Sequence, residues 1–203
     1  MTAPTAADPL AIQPRALYGG AMQINVPASF LDVSVVRQVP SHQEVFVDQL
    51  TDQSIMIELL DLVEEAHGDE VGRYHFAQLA SDNDAAESEI ITQEGIDVAT
   101  VLPSLPPTTK ATIVTGRQSI AKFNEQSADA HNVVLICLAV VRLPDVATDL
   151  LLSLNCPTVL APLSSSAAAV PRPAAGDELE AKEIFARMLH SLRILDWSLF
   201  GAS

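Results

Sequence analysis

The chain has 203 residues, of which 48% are hydrophobic and only 4% aromatic, and its 26 acidic and 11 basic side chains give a formal net charge of -15. This length suits one domain with a mainly aliphatic core. The charge repels nucleic-acid phosphates and anionic membrane surfaces, which excludes both as partners, and it favours encounter with a basic protein surface.

The first 15 residues are rich in Ala, Thr and Pro, and we expect them to form a disordered tail. They lack the basic start and long apolar core of a signal peptide. The longest apolar run, residues 133–141, has about half the length of a membrane-spanning helix. Cys137 and Cys156 have neither metal-binding nor redox spacing, so they predict buried free thiols in a reducing compartment. These features together predict an intracellular protein.

Local patterns predict three short elements in the first quarter of the chain. Residues 21–26 alternate between apolar and polar side chains, which is typical of a half-buried strand. Residues 30–36 can form one helical turn, with Asp32 or Ser34 capping its N-terminus. Residues 44–48 have strand character.

Residues 54–65 allow two interpretations. In a helix capped by Ser54, the side chains of Ile55, Leu59 and Leu62 would share one face. In the alternative, a strand of about seven residues is followed by a turn. The continuous apolar run, with acids three and four positions apart, favours the helix when the pattern is considered alone.

The middle of the chain predicts a helix followed by four strands. The helix begins at Asp69 or Glu70, breaks at residues 81–84, and turns an apolar face inward. Residues 87–98 and 112–123 have strand character and are joined by a proline-rich connection. Residues 133–142 and 149–155 are the most apolar strands and are expected to form a central antiparallel hairpin. The apolar face of the helix consists of Val71, Tyr74, Phe76 and Leu79.

The last part of the chain predicts a loop and a helix. Residues 157–176 are rich in Pro, Ala and Ser and are expected to form a mobile loop. Asp177 is a suitable N-cap, with Glu180 three residues later, as in a capping box. Apolar side chains then recur at helical spacing as far as Leu195, so the helix is expected to end near Asp196 and to pack on the sheet.

No pattern of catalytic or metal-binding residues is present in the sequence. It contains no GxxxxGK(S/T) phosphate-binding loop, no GxSxG nucleophile motif and no HExxH zinc motif. No two of its five histidines have the spacing of metal ligands. The sequence therefore predicts a protein without a catalytic residue set, cofactor or metal.

Two acidic residues, Glu58 and Asp61, stand out because they interrupt an apolar run. Acidic runs such as Glu64-Glu65 are typical of a solvated surface, whereas an unpaired charge among apolar side chains is unfavourable when buried. One interpretation is a water-exposed pair on the sheet. The other is an acidic hot spot for a basic partner, where desolvated charge pairs contribute several kcal/mol.

An ordered set of short segments extends from Leu17 to Phe200 and resembles the Ran guanine-nucleotide release factors, the Mog family. No single segment is specific, but the ordered set is. The segments are LYGGA (17–21), DVS (32–34), RQVP (37–40), QEVFV (43–47), DQSI (52–55), RYHF (73–76), VVRLP (140–144), TDLL (148–151) and DWSLF (196–200). The family usually has an acid before the Gln-Glu-Val, where this chain has Ser41-His42.

The resemblance implies a fold and a function. The fold is a single-domain α/β/α sandwich with a largely antiparallel sheet of six or seven strands, shared with the PsbP photosystem proteins; it implies a strand at residues 54–60. The implied function is binding to the small GTPase Ran, nucleotide-free or GTP-bound, and release of its nucleotide in nuclear protein import. We expect a monomer in the nucleus and cytoplasm.

The resemblance also implies a site and leaves alternatives. Residues matching Glu58 and Asp61 lie on the Ran-binding surface, and Arg37, Gln38 and Glu44 extend it; Arg37 could instead pair with Asp32. A second possibility is an interaction module with the same fold and a different client, for example in trafficking. A PsbP-like photosystem protein is disfavoured because the start does not look like a transit peptide.

Overall fold

The computed structural model describes residues 11–121, 131–161 and 177–201. Within these residues the chain forms ten strands and three helices, with short 3-10 turns between some of them. The strands are β1 (Ile12–Leu17), β2 (Met22–Pro27), β3 (Leu31–Asp32), β4 (Gln43–Val47), β5 (Ser54–Asp61), β6 (Glu87–Gly95), β7 (Lys110–Ala121), β8 (His131–Leu143), β9 (Thr148–Val159) and β10 (Arg193–Ile194). The helices are α1 (Glu70–Asp82), α2 (Val98–Val101) and α3 (Glu178–Ser191).

Seven of these strands form one antiparallel sheet in the order β3-β4-β5-β9-β8-β7-β6, and β1, β2 and β10 form a second, three-stranded sheet. The predicted central hairpin is β8 and β9, which pair along almost their whole length. They are buried on both faces, which explains their nearly continuous apolar sequence. The predicted largely antiparallel sheet is therefore confirmed.

Helices cover both faces of the large sheet. On one face, α1 packs against β6, β7 and β8. On the other, α3 packs against β8, β9 and the small sheet. It buries Ala181 and four residues of the predicted stripe in the larger core (Ile184, Phe185, Met188 and Leu189), whereas Leu195, predicted to continue the stripe, lies beyond the helix and is exposed. Asp177 is the N-cap, as predicted, and accepts hydrogen bonds from the backbone N–H groups of Leu179 and Glu180. The arrangement is the predicted α/β/α sandwich.

Helix α1 lies close to strand β7 because two glycines leave space for it. A Cβ added at Gly116 would lie 2.4 Å from the ring of Phe76, and one added at Gly72 would lie 2.7 Å from Val114. Phe76 is buried in the smaller core cluster, which consists of side chains between α1 and the sheet. The absence of side chains at these two positions fixes the depth at which the helix packs.

A buried carboxylate lies at the end of the central hairpin. Asp149 has no exposed surface. It stands opposite Arg142 in the register, and the guanidinium donates to both of its carboxylate oxygens at 2.8 Å. Asp149 also contacts His75 Nε2 at 3.0 Å and accepts from the backbone N–H of Val63 at 3.2 Å. Burial alone would raise the pKa of Asp149, but the hydrogen bonds from Arg142, His75 and Val63 lower it to about 2.

The remaining donors of Arg142 tie this pair to the segment between β5 and α1. The guanidinium donates to the backbone oxygens of Val63 and Ala66, both at 2.8 Å. One side chain thereby links β8, β9, the exit of β5 and, through Asp149, helix α1. This network was not predicted from the sequence, although Arg142 and Asp149 both belong to segments that resemble the Mog family.

The structure settles the ambiguous segment as a strand. Residues Ser54–Asp61 form β5, paired with β4 on one side and β9 on the other. The helix favoured by the pattern alone is wrong, because pairing with β4 and β9 fixes the segment as a strand that buries Ile55 and Ile57 on one face and leaves Met56 and Glu58 partly exposed on the other. Elsewhere, the helical turn predicted within residues 30–36 is present as a 3-10 turn at Val33–Val35, with Asp32 as its cap.

Several predicted boundaries need correction. The predicted tail extends too far, since residues from Ile12 onward form strand β1 by pairing with β2; residues 1–10 lie outside the described part. The loop predicted for residues 157–176 begins later, because β9 continues to Val159, and residues 162–176 are not described. The last helix ends at Ser191 rather than near Asp196. Tyr74, expected on the apolar face of α1, is exposed, and His75 is buried instead.

The two cysteines are free and buried, as predicted. Burial raises the pKa of Cys137 to about 11 and that of Cys156 to about 12, so both thiols stay protonated at neutral pH. No helix in residues 11–121, 131–161 and 177–201 is long and apolar enough to cross a membrane.

The buried pair predicts an acid-sensitive contribution to stability. The pKa of Asp149 is about 2 in the folded protein, below the ordinary value of about 3.9. Because the unfolded chain binds the proton more tightly, the contribution is complete above about pH 5 and is lost as the pH falls toward 2. We expect this group to remove about 2 kcal/mol of unfolding free energy over that interval, measured by urea denaturation. Asp149→Asn should lack this part of the pH dependence. If the unfolding free energies of the two proteins fell in parallel between about pH 5 and about pH 2, Asp149 would not be the responsible group.

Candidate partner-binding site

The candidate site is built on the pairing of β4 with β5. Glu58 lies in the middle of β5, opposite Gln43, the first residue of β4. Its Oε1 accepts a hydrogen bond from Gln43 Nε2 at 2.6 Å and lies 3.4 Å from His42 Nε2. The Glu58 side chain keeps 16% of its surface exposed. The carboxylate is thus held in one orientation at the surface instead of being buried without a partner.

Glu44 lies on the opposite face of β4, because successive side chains on a strand point to opposite sides. Its register partner is Ile57, which belongs to the larger core. Glu44 Oε1 accepts a hydrogen bond from the backbone N–H of Tyr18 at 2.5 Å. The structure therefore gives Glu44 a role in holding the turn after β1, and it does not place Glu44 on the face of Glu58.

The Tyr18 side chain closes the same corner. Its hydroxyl lies 3.0 Å from the backbone oxygen of Ile57 and 3.1 Å from that of His42, and it donates its single hydrogen between them. Burial raises the pKa of the Tyr18 phenol, and the nearby carboxylates of Glu44 and Glu58 raise it further. The phenol therefore stays protonated and joins the first turn to both strands of the site.

Asp61 is exposed and is the last residue of β5. It lies three positions after Glu58, so in a regular strand the two side chains point to opposite faces. The exit of β5 is itself well fixed, because the N–H of Leu62 donates to the backbone oxygen of Ala147 and that of Val63 to Asp149. Asp61 thus lies exposed at the end of β5, on the strand face opposite to that of Glu58.

Arg37 and Gln38 are exposed in the segment between the 3-10 turn and β4. The alternative pairing of Arg37 with Asp32 is not present, since these two residues form no ion pair and Asp32 accepts instead from the N–H of Ser34 at 2.8 Å. The turn is anchored by the buried Val33 and exposes the apolar side chains of Val35 and Val36. This segment is therefore free to contact a partner.

The site includes residues that sequence reasoning missed. His42, Gln43 and Tyr18 orient the two glutamates, and none of them was proposed as a site residue. The alternation of side chains along β4 could have been used to find them, because it places Gln43 and Glu44 on opposite faces of the strand. Within residues 11–121, 131–161 and 177–201, no group of three or more His, Cys, Asp or Glu side chains could hold a metal ion.

Comparison with known proteins places the chain in a family. The model of the family described as Ran-interacting Mog1 protein matches residues 15–157. This chain belongs to the Mog1 family. It is 37% identical over 194 residues to the Ran guanine nucleotide release factor of Danio rerio, covering 92% of this chain and 99% of that protein. It is 30% identical over 187 residues to the nuclear import protein mog1 of Schizosaccharomyces pombe, covering 91% and 98%.

Solved structures show the same fold. The crystal structure of the Ran-binding protein Mog1p of Saccharomyces cerevisiae superposes with a TM-score of 0.69 at 24% identity, covering 94% of this chain and 99% of that one. The cyanobacterial PsbP of Synechocystis superposes with a TM-score of 0.54 at 12% identity, covering 96% and 98%. The expected likeness to both Mog1 and PsbP is therefore confirmed.

The position of Glu44 in this Mog1-family chain predicts a structural role. Replacing it with Ala leaves the Tyr18 N–H without its acceptor, and we expect a loss of about 1–2 kcal/mol of unfolding free energy. Glu44→Gln retains an acceptor oxygen and should lose less. Chemical denaturation of both variants tests this, and a Glu44→Ala protein with parental stability would show that the hydrogen bond contributes nothing.

Proposed function

We propose that this Mog1-family protein binds the small GTPase Ran and promotes release of its guanine nucleotide in support of nuclear protein import. The observation that carries the proposal is the carboxylate of Glu58, held by Gln43 and His42 at the surface of β5, with Asp61 exposed at the end of the same strand. The name of the Danio rerio relative supports the choice of partner, and that of the Schizosaccharomyces pombe relative supports the role in nuclear import.

The physical basis of such release is thermodynamic linkage. A protein that binds nucleotide-free Ran more tightly than nucleotide-loaded Ran must weaken nucleotide binding by the same factor. This requires a binding surface, with neither a nucleophile nor a cofactor. A carboxylate already oriented by hydrogen bonds suits the task, because little conformational freedom is lost when it meets a basic side chain.

The net charge of -15 supports a basic partner surface. It attracts such a surface over long distances and speeds the encounter, while the oriented carboxylates determine the strength of the final contact. We place Glu58 and Asp61 at the centre of the Ran-binding surface and the exposed Arg37 and Gln38 beside it. Glu44 contributes indirectly, by holding the turn at Tyr18 against the start of β4.

We infer that the protein acts as a monomeric binding protein rather than an enzyme, in the nucleus and the cytoplasm. A second candidate function is an interaction module with the same fold and another client. It predicts a stable complex with a different protein and no effect on Ran. The test below distinguishes these functions, because it measures Ran binding and nucleotide release separately.

The experiment follows a fluorescent nucleotide on Ran while the protein is added. We expect the double variant Glu58→Ala/Asp61→Ala to melt near the parent, since both side chains reach the surface, but to lose about tenfold or more in affinity, equivalent to about 1.4 kcal/mol. The double variant with Lys at both positions should lose almost all binding, because it sets like charge against a basic partner. Nucleotide release should fall in parallel with affinity.

The matched control is Glu64→Ala/Glu65→Ala, which removes two exposed acidic charges close by in the chain and should change affinity little. Unchanged Ran binding by a folded Glu58/Asp61 variant would place the site elsewhere. Parental protein that leaves the nucleotide on Ran would reject the release function itself.

A further inference from the structure

A cleft of about 770 Å³ opens at the β6–β7 end of the large sheet. It lies between the start of α1, helix α2 and the proline-rich connection that follows α2. Strand β9 lies between the strands that contribute to the cleft (β6, β7 and β8) and the β4–β5 site. The cleft is therefore distinct from the proposed Ran-binding surface, and its volume is within the range of about 300–1,000 Å³ typical of small-molecule sites.

The walls of the cleft are mainly aliphatic. They come from separate elements, so that apolar side chains face one another across the opening. The principal ones are Val71, Ile96, Val98, Leu105 and Val140. Such walls favour an apolar ligand body, because its contact with them removes apolar surface from water.

A buried hydroxyl without a partner lines the cleft. Thr109 is only 3% exposed, and its Oγ1 has no hydrogen-bond partner in the described residues. A buried hydroxyl that makes no hydrogen bond is unfavourable, and the deficit disappears when a bound group supplies an acceptor. Thr109 therefore gives the aliphatic cleft a specific polar contact.

Two cationic side chains accompany the hydroxyl. Lys110 is opposite Arg142 in the β7–β8 register, and both line the cleft. Lys110 is exposed and forms no ion pair with any described residue. Arg142 uses four of its five N–H donors on Asp149, Val63 and Ala66, which leaves one without an acceptor among the described residues. Asp149 already offsets the charge of Arg142, so the unpaired positive charge at the cleft is that of Lys110.

Two carboxylates in the lining limit the charge that the cleft accepts. Asp97 is engaged at the start of α2, where it accepts from the N–H of Ala99 and from the hydroxyl of Thr100. Asp69 also lines the cleft. Their negative charges disfavour a multiply charged group such as phosphate and leave room for a single negative charge near Lys110.

We propose that this cleft binds a small monocarboxylate with an apolar tail. The carboxylate accepts hydrogen bonds from Thr109 Oγ1, Lys110 and the remaining N–H of Arg142, and the tail lies against the aliphatic walls. The proposal does not depend on Ran binding, since none of the residues that carry it belongs to β4 or β5.

The test titrates octanoate into the full-length protein and follows backbone amide signals by NMR, with octanol as the uncharged control of equal length. We expect saturable octanoate binding, with shifts centred on residues 96–112, and octanol binding weaker by at least roughly fivefold. Lys110→Ala should weaken octanoate binding by a similar factor. Lys182→Ala removes another exposed lysine, on α3, and should have no effect.

A second variant, Thr109→Val, tests the contribution of the buried hydroxyl to octanoate binding. It removes the hydroxyl with little change in shape, so it should weaken octanoate binding while the melting temperature stays equal or rises. The Arg142 side chain is left intact because it also neutralises Asp149. Absence of saturable binding, equal affinity for octanol, or octanoate affinity unchanged by both Lys110→Ala and Thr109→Val would overturn the proposal.

Discussion

The buried pairing of Asp149 with Arg142 is the constraint on which the arrangement of this sheet depends. A fully buried carboxylate is tolerated only when it is paired and hydrogen-bonded, and removing one partner of such a pair costs about 3–5 kcal/mol. Here Arg142 also fixes the backbone of Val63 and Ala66, just beyond the exit of β5. The position of β5 relative to the central hairpin and α1 is therefore set by one polar cluster within an otherwise aliphatic core.

This constraint connects the core to the proposed function. Glu58 and Asp61 lie on β5, whose exit is fixed by the Asp149 cluster. In the middle of β5, Tyr18 contacts the backbone of Ile57, and Glu44 fixes the start of β4 opposite that residue. The acidic residues are thus presented by a strand held at its middle and at its exit, which favours binding because few degrees of freedom remain to be lost. The cleft proposed to bind a monocarboxylate also contacts this cluster, since Arg142 is one of its lining residues.

The sequence predicted the long elements better than the site. The central hairpin and the two longer helices follow from apolar runs, periodicity and capping residues. Strand β5 came from the family resemblance, because one of its two partner strands, β9, is distant in sequence and leaves no local pattern. Strands β3 and β10 have two residues each, too few for any periodicity. Strand β1 was missed because its partly exposed Gln, Pro and Arg residues resemble a tail.

The sequence could not show which acidic residues share a face of the sheet. Glu44 and Glu58 belong to neighbouring strands, but the register places Gln43, not Glu44, opposite Glu58. Strand alternation then puts Glu44 on the inner face. Register depends on pairing between strands, so the sequence could suggest which carboxylates are unusual without showing which of them share a face. The buried Asp149 escaped notice because its partner His75 comes from a distant part of the chain, and because its pairing with Arg142 depends on the register between β8 and β9.

The central claim is that the protein distinguishes between two states of Ran. The most direct measurement compares its affinity for nucleotide-free Ran with its affinity for Ran loaded with GDP or GTP, by calorimetry under one set of conditions. The account predicts tighter binding to the nucleotide-free form than to at least one loaded form, by the same factor as the protein weakens that nucleotide's affinity for Ran. Equal affinities for all three forms would contradict it, because a ligand that binds each state equally shifts no equilibrium.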